Sequence, residues 1–181
     1  MRPLFSIFNV LGLVLLGLSA LAYRVVQEPP AAPKAPLLEL AAQQSVPVTL
    51  FFSDVQVRGY VKQLRDVQVT QNDPVQLAQA AIRSWAAGPL KSGAVAAVPK
   101  GSAAPMVMLR GEHFVVDLPA SYAALNYGVA GERMLLCSLT RTLLEQRGKD
   151  VMFLVNGKNA DTLLGHADLH APYAREDCAD E

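Results

Sequence analysis

Two kinds of apolar spacing divide the chain. Leu4 to Tyr23 is an almost unbroken apolar stretch, interrupted by Ser6, Asn9 and Ser19. About 20 residues at a rise of 1.5 Å span the hydrocarbon core of a bilayer. Beyond it the apolar residues come in short, patterned runs. Val46 to Phe52 reads as a first strand, with Pro47 tolerable near a strand start or on an edge. Val61 to Thr70 alternates as a half-solvated strand, with an irregularity near Leu64. Val75, Ala78, Ala81, Ile82 and Trp85 then recur at helical spacing. Asp73 is placed to cap that helix, Pro74 suits its first position, and Gly88-Pro89 stops it.

The second half repeats the plan. Met106 to Arg110 and His113 to Leu118 flank Gly111-Glu112 as a hairpin. Val115 and Asp117 point to one side; Phe114, Val116 and Leu118 point to the other. Ser121 to Gly131 is a loop crossing over the sheet. Glu132 to Gln146 is a second helix with Leu135, Leu139, Thr142 and Leu143 on one face and Leu136 widening it. Arg133, Arg141, Glu145 and Arg147 take the opposite side or its borders, and Gly148 ends the helix. Val151 to Val155 is short, apolar and bounded by turn residues, which suits a buried strand. Asn156-Gly157 supplies the two positive-φ residues of a tight hairpin turn. Lys158 to Leu164 is the expected return limb, Gly165 to Leu169 a polar loop leaving the sheet, and Pro172 the end of the ordered part.

The order is therefore β-β-α-β-β-α-β, an α/β (α+β) arrangement. Its simplest packing is a mixed β-sheet with two helices on one face. Four segments follow: 1–27 as a transmembrane signal anchor or signal peptide, 28–45 as a linker, 46–173 as the domain, and 174–181 as an acidic, disordered tail. Proline and alanine in Glu28 to Pro36 make the linker an extended spacer. Arg2 before the apolar run and Arg24 after it favour an N-in, C-out anchor. The alternative is cleavage at Ala20-Leu21-Ala22, giving a soluble form that starts at Tyr23. No cysteine lies near the segment, which excludes a lipid-anchored lipoprotein.

Composition narrows the partners. Sixteen basic residues balance sixteen acidic ones, so nothing resembles the basic face that nucleic-acid binding needs. Of the two cysteines, Cys137 lies among leucines in the second helix and Cys178 in the tail. Neither has zinc-ligand spacing. If the domain is exported a disulfide between Cys137 and Cys178 becomes possible; the favoured reading is one buried, inert thiol and one tail thiol.

The sharpest chemical candidate is Gly165-His166-Ala167-Asp168 with His170. Two histidines and a carboxylate could bind a metal or move a proton, but their spacing in a loop is no recognised ligand pattern. The favoured reading is that His166 and Asp168 hydrogen-bond backbone groups and fix the chain where it leaves the sheet. Ser84, Ser121 and Ser138 lack the nucleophile-elbow context. Gly128 and Gly131 fit no phosphate-binding loop. Trp85 belongs to the core rather than to a ligand platform. Tyr122 and Tyr127 lie in a loop, where they either pack or meet a partner. No cofactor and no metal are expected.

Several of these segments carry a family resemblance. Gly88-Pro89, Val98-Pro99-Lys100-Gly101, Val115-Val116-Asp117-Leu118, Asn156-Gly157, Thr162-Leu163, Gly165-His166, Asp168-Leu169 and Pro172 stand in order. Together the segments from about Val46 onward resemble the GerMN domain family, which is named after a bacterial sporulation and germination protein. The resemblance implies a compact fold similar to the ring-building motifs of bacterial envelope machines. It gives Gly88, Pro89, Asp117, Asn156, Gly157, Gly165, His166 and Asp168 a structural role. It also implies a non-catalytic, membrane-anchored extracytoplasmic protein that assembles or stabilises an envelope complex, by self-association or by docking to another protein. The alternative is a module that binds cell-wall glycan or peptide. An exposed aromatic groove would favour glycan, and a flat apolar patch would favour protein. Val46 to Phe52, if at a sheet edge, is a candidate surface for association.

Overall fold

The computed structural model describes residues 6–27, 43–70 and 73–179. The chain divides into two units, Met1–Leu40 and Ala41–Glu181. In the first, α1 runs Ile7–Gln27 with no buried residue. Its 21 residues make it long and apolar enough to cross a membrane. The proline-rich spacer lies outside the described residues.

In the second unit β1 (Gln44–Asp54) pairs antiparallel with β2 (Tyr60–Val69) along its whole length. It follows that β1 begins inside the segment read as linker. α2 (Pro74–Ala86) comes next, its first turn capped by Asp73, whose carboxylate accepts the Gln76 N–H at 3.1 Å. A two-residue strand, β3 (Ala94–Val95), adds to the far end of β1. β4 (Met106–Arg110) and β5 (His113–Leu118) form the hairpin. α3 (Val129–Leu144) starts three residues before the Glu132 expected from sequence, and β6 (Asp150–Val155) pairs parallel with β5.

The order is thus the expected one with β3 added. The strands form two three-stranded ladders, β2-β1-β3 and β4-β5-β6, the second of them mixed. α3 touches β1, β6, α2 and the C-terminal turn, so it is buried on most of its circumference instead of lying on one face. That is why Thr140 and Thr142 are as buried as Leu135 and Leu139.

Two local expectations change. β2 is regular through Leu64, which points to solvent and is 70% exposed. The inward slots belong to Gln63 and Arg65, whose polar ends have work there. Arg65 donates to the Ser84 carbonyl at 2.9 Å and the Gly88 carbonyl at 2.6 Å, at the C-terminus of α2, where a cation is favoured. Gln63 Oε1 accepts from Arg65 and from the Leu90 N–H, each at 3.0 Å. Second, β1 is no open edge. Leu50, Phe51 and Phe52 are fully buried, β2 covers one side, and the Phe51 N–H donates to Thr142 Oγ1 at 3.0 Å on the other. Tyr122 packs, the favoured of its two readings: its ring is buried and its hydroxyl donates to the Ala103 carbonyl at 2.9 Å. Trp85 is core as well, its ring N–H reaching Ser138 Oγ at 3.2 Å.

The chain after β6 differs most. Val155 and Lys158 make a single bridge, so Lys158 to Leu164 is not a return limb. The chain arcs outward and comes back at Tyr173, whose N–H and carbonyl pair with Val151 at 2.7 and 2.9 Å. Order does not end at Pro172. A 3-10 turn, Glu176–Cys178, follows, with Cys178 buried. Cys178 is joined to Cys137 by a disulfide across 41 residues. The separate-thiol reading and the disordered tail are both corrected by this link through residue 179. It is reinforced by Arg175, which bonds Glu145 and the Leu144 carbonyl at 2.9 Å each.

Candidate functional site

The residues singled out from sequence gather at two places after β6. The first is the turn. Asn156 has φ +52° and Gly157 φ +73°, the pair of positive values that a tight, strand-matching turn needs. Asp117, at the end of β5, accepts the Gly157 N–H at 2.7 Å, and the Leu118 carbonyl accepts the Asn156 N–H at 2.9 Å. One carboxylate therefore ties the end of β5 to the turn after its parallel neighbour. Gly88, with φ +87°, and Pro89 sit apart from this, at the end of α2.

The second is the loop of residues 161–173, held on Glu132. This glutamate lies in the first turn of α3 and is completely buried. Its Oε1 accepts the N–H groups of Leu163 (3.2 Å) and Leu164 (2.8 Å). Its Oε2 accepts the N–H of His166 (3.0 Å) and the ring Nδ1–H of the same residue (2.9 Å). A buried charge is costly unless it is fully hydrogen-bonded, and this one has four donors. Burial by itself would push the Glu132 carboxyl up; the bonds from the Leu164 N–H, the His166 ring and the His166 N–H outweigh it and hold the carboxyl below its ordinary value. A helix N-terminus adds favourable charge–dipole energy. Leu163 and Leu169 are buried in the core on either side of this clamp.

Glu132 is the residue the sequence reasoning missed. It was read only as a helix opener, although it continues the apolar stripe of Leu135, Leu139 and Leu143 at helical spacing. A charge on a buried stripe is the signal that could have found it.

The remaining candidates are committed locally. Asp168 Oδ1 accepts the His170 N–H and faces His170 Nδ1, each at 2.9 Å. The His170 N–H and ring together lower the Asp168 carboxyl, and Asp168 in turn raises His170. Gly165, φ +97°, donates its N–H to Thr162 Oγ1 at 3.1 Å. Asp168 thus bonds backbone, as expected. The His166 ring bonds a carboxylate, and both polar clusters act as fasteners of the loop.

The family model described as Germane, sporulation and spore germination, matches residues 49–161. The chain belongs to the Germane family. Solved structures share the fold. A Clostridium perfringens protein assigned as a lipoprotein is 18% identical, with 76% of this chain and 91% of that chain covered at a TM-score of 0.53. The first GerMN domain of the Bacillus subtilis sporulation protein GerM is 19% identical, covering 72% and 98%, also at 0.53. Against the tandem GerMN domains of the same protein the coverage is 74% of this chain and 48% of that chain, so the Germane domain here corresponds to about half of the tandem. No curated protein matches the sequence.

Proposed function

We propose that this chain is a membrane-anchored, extracytoplasmic and non-catalytic Germane protein that assembles or stabilises a cell-envelope protein complex. The observation that carries the reading is the outer side of the β4-β5-β6 sheet. Phe114, Val116, Leu118, Val151 and Phe153 point inward and are buried. The alternate residues Met106, Met108, Val115, Met152 and Leu154 point outward in register. A contiguous apolar patch on one sheet face is a mark of protein contact. Three further features support the reading: family membership, the apolar helix α1, and the disulfide, which belongs to oxidising compartments. The His166–Asp168–His170 constellation, the one candidate for chemistry, is used to hold a loop.

A second reading has its own observation. A groove of about 450 Å³ is lined by Gln43, Gln68, Thr70, Gln76 and Arg83 beside Val69, Val75 and Val107, while the Gln79 amide in its wall is bonded to the Pro105 carbonyl and the Val107 N–H. Such groups suit the hydroxyls of a cell-wall glycan or the backbone of a peptide. Crosslinked pull-down of the full chain from native membranes, read by mass spectrometry, tests the first reading. An envelope protein or a second copy is the expected capture. Capture of neither, together with co-sedimentation on purified cell wall that Gln76→Ala abolishes, would replace it by the second.

A further inference from the structure

We propose that the free edge of β2 is where two copies of this chain join, antiparallel and in one register, with Leu64 on the two-fold axis. The inference rests on the assembly reading and names a surface for self-association. It leaves the outer face of the β4-β5-β6 sheet to another protein.

β2 stands at the outside of the first ladder and is paired on one side only. Which of its backbone groups are free follows from β1. In an antiparallel pair, residues alternate between those bonded to the neighbouring strand and those turned away from it. The Phe51 N–H goes to Thr142 and not to β2, whereas the Asp54 N–H bonds the Gly59 carbonyl. Phe51 and Lys62, which face each other, are therefore a non-bonded pair. On β2 the odd-numbered residues bond β1, and Lys62, Leu64, Asp66 and Gln68 turn their N–H and C=O groups outward. Among the described residues no group bonds to these. A regular ten-residue strand with neither proline nor bulge is left open in this way. What fits such a row is another extended backbone.

The side chains choose the occupant. Lys62, Leu64, Asp66 and Gln68 lie on the face turned away from α2, since Arg65, of the alternate set, is the one that reaches the end of that helix. Leu64 is 70% exposed, and Lys62 and Asp66, two residues to either side of it, are exposed as well. The Lys62 ammonium stands 5.4 Å from the centre of the Phe51 ring, and the Asp66 carboxylate has no partner among the described residues. Charges on an edge strand ordinarily keep other strands away. Here they admit one. With Leu64 opposite its own copy, Lys62 faces Asp66 of the second copy and Asp66 faces its Lys62. Opposite charges across an antiparallel pair are favourable and like charges are not. A slide of two residues loses both ion pairs, setting Lys62 on Leu64 or on Gln68. A slide of four sets Lys62 on Lys62 or Asp66 on Asp66. The favoured register also uses the strand from Tyr60 to Gln68. A foreign strand would have to reproduce this alternation; a second copy carries it already.

The joint is held by backbone more than by area. Its three central pairs exchange about six N–H···O bonds, two for each bonded pair. The β3-β1-β2 ladder of one copy thereby continues into the same ladder of the other. Anchoring by α1 confines the copies to one membrane and raises their effective concentration, which favours so narrow a contact.

The test uses the full chain in phosphatidylcholine vesicles at low protein density. The native cysteines are joined to each other, so a single added cysteine supplies the free thiol. Leu64→Cys stands about 5 Å from its own copy in this register and should give a covalent dimer with a short bis-maleimide. Met106→Cys, exposed on the other sheet, should give none. Lys62→Cys and Asp66→Cys are each about 14 Å from their own copies along the strand, so they should dimerise when mixed and not alone. In the Leu64→Cys background, Lys62→Asp or Asp66→Lys should each abolish the dimer. A mixture of those two variants should restore it, because every charge then meets its opposite. Circular dichroism should stay unchanged throughout. No dimer from Leu64→Cys, a yield equal to that of Met106→Cys, or a dimer indifferent to the charge changes would overturn the proposal. In native membranes, crosslinks from Leu64→Cys to a different protein with no dimer would overturn it and leave the assembly reading intact. Protein capture from no exposed site at all would remove the assembly reading together with the proposal.

Discussion

The loop after β6 and the outer face of the sheet to which β6 belongs use their side chains in opposite ways. The loop of residues 161–173 is rich in polar and ionisable groups, and they are turned on one another: Glu132 holds Leu163, Leu164 and His166, and Asp168 holds His170. The sheet face centres on Met106, Met108, Val115, Met152 and Leu154, with Met106 and Met152 exposed, the other three half-buried, and Asp117 among them. From sequence the loop looked like chemistry and the strands like ordinary pattern. A polar group is informative about function only when its bonding capacity is unspent, and an apolar group only when its area is uncovered. By that measure the loop is scaffold and the face is surface.

The largest test of the contrast falls on the loop. Glu132→Ala leaves three backbone N–H groups without their acceptor and should cost about 3–5 kcal/mol, as breaking a buried charged network does. Denaturant unfolding of the soluble domain measures it; a loss under about 1 kcal/mol would mean the loop holds itself. The same carboxylate predicts an acid dependence. Its folded value lies below the ordinary 4.5, so its contribution is fully present above 4.5 and lost as pH falls through the lower folded value. Glu132→Gln should flatten stability in that acid window and change little in how stability varies above it.

The disulfide comes next. It closes a 41-residue separation, and chain-entropy reasoning gives about 4 kcal/mol for a loop of that size, an upper figure for a well-packed site. Cys178→Ser should lower the unfolding midpoint and free the chain beyond Tyr173 for proteolysis. Protection that persists in the variant would show that Arg175 alone is enough to hold the tail.

How much of this was legible depended on how local the cause was. The cap at Asp73, the stop at Gly88, the Asn156-Gly157 turn and the in–out alternation of β5 are set within a few residues, and sequence carries them directly. Division of the strands into two ladders, and burial of α3 on most sides, depend on which elements meet in space. The alternation of β2 was misread because Gln63 and Arg65 occupy inward slots for the sake of α2, some twenty residues on. The tail was misread because composition says acidic and solvated, whereas one bond to Cys137 outweighs that tendency. At the candidate site, Asp117, His166 and Asp168 were recognised; their organiser, Glu132, lies 34 residues from His166 and shows only as a charge on an apolar stripe.

His166→Ala should give an intermediate effect, about 1–2 kcal/mol, the size of one hydrogen bond from a partly exposed ring to a charged group. The Glu132 carboxylate keeps its three backbone donors, which separates this variant from Glu132→Ala. Thermal unfolding measures the loss, and elemental analysis of the purified protein should find no metal before or after the change. Stoichiometric zinc or manganese in the unaltered protein, lost with His166, would turn the loop from scaffold into site.

The smallest expected effect falls on the face. Val115 lies on the outer side of β5, between Met108 and Met152, and its side chain points away from the buried residues Phe114 and Val116 on either side of it. A lysine there keeps its stem along the neighbouring methionines and its ammonium in water. The backbone ladder is untouched, so the cost is limited to strand preference, under about 1 kcal/mol. The soluble Val115→Lys domain should therefore unfold within that margin of the unaltered one. Were the variant to lose several kcal/mol, Val115 would have to be covered within a single copy. The outer face would then be part of the core, and the difference drawn between loop and face would vanish.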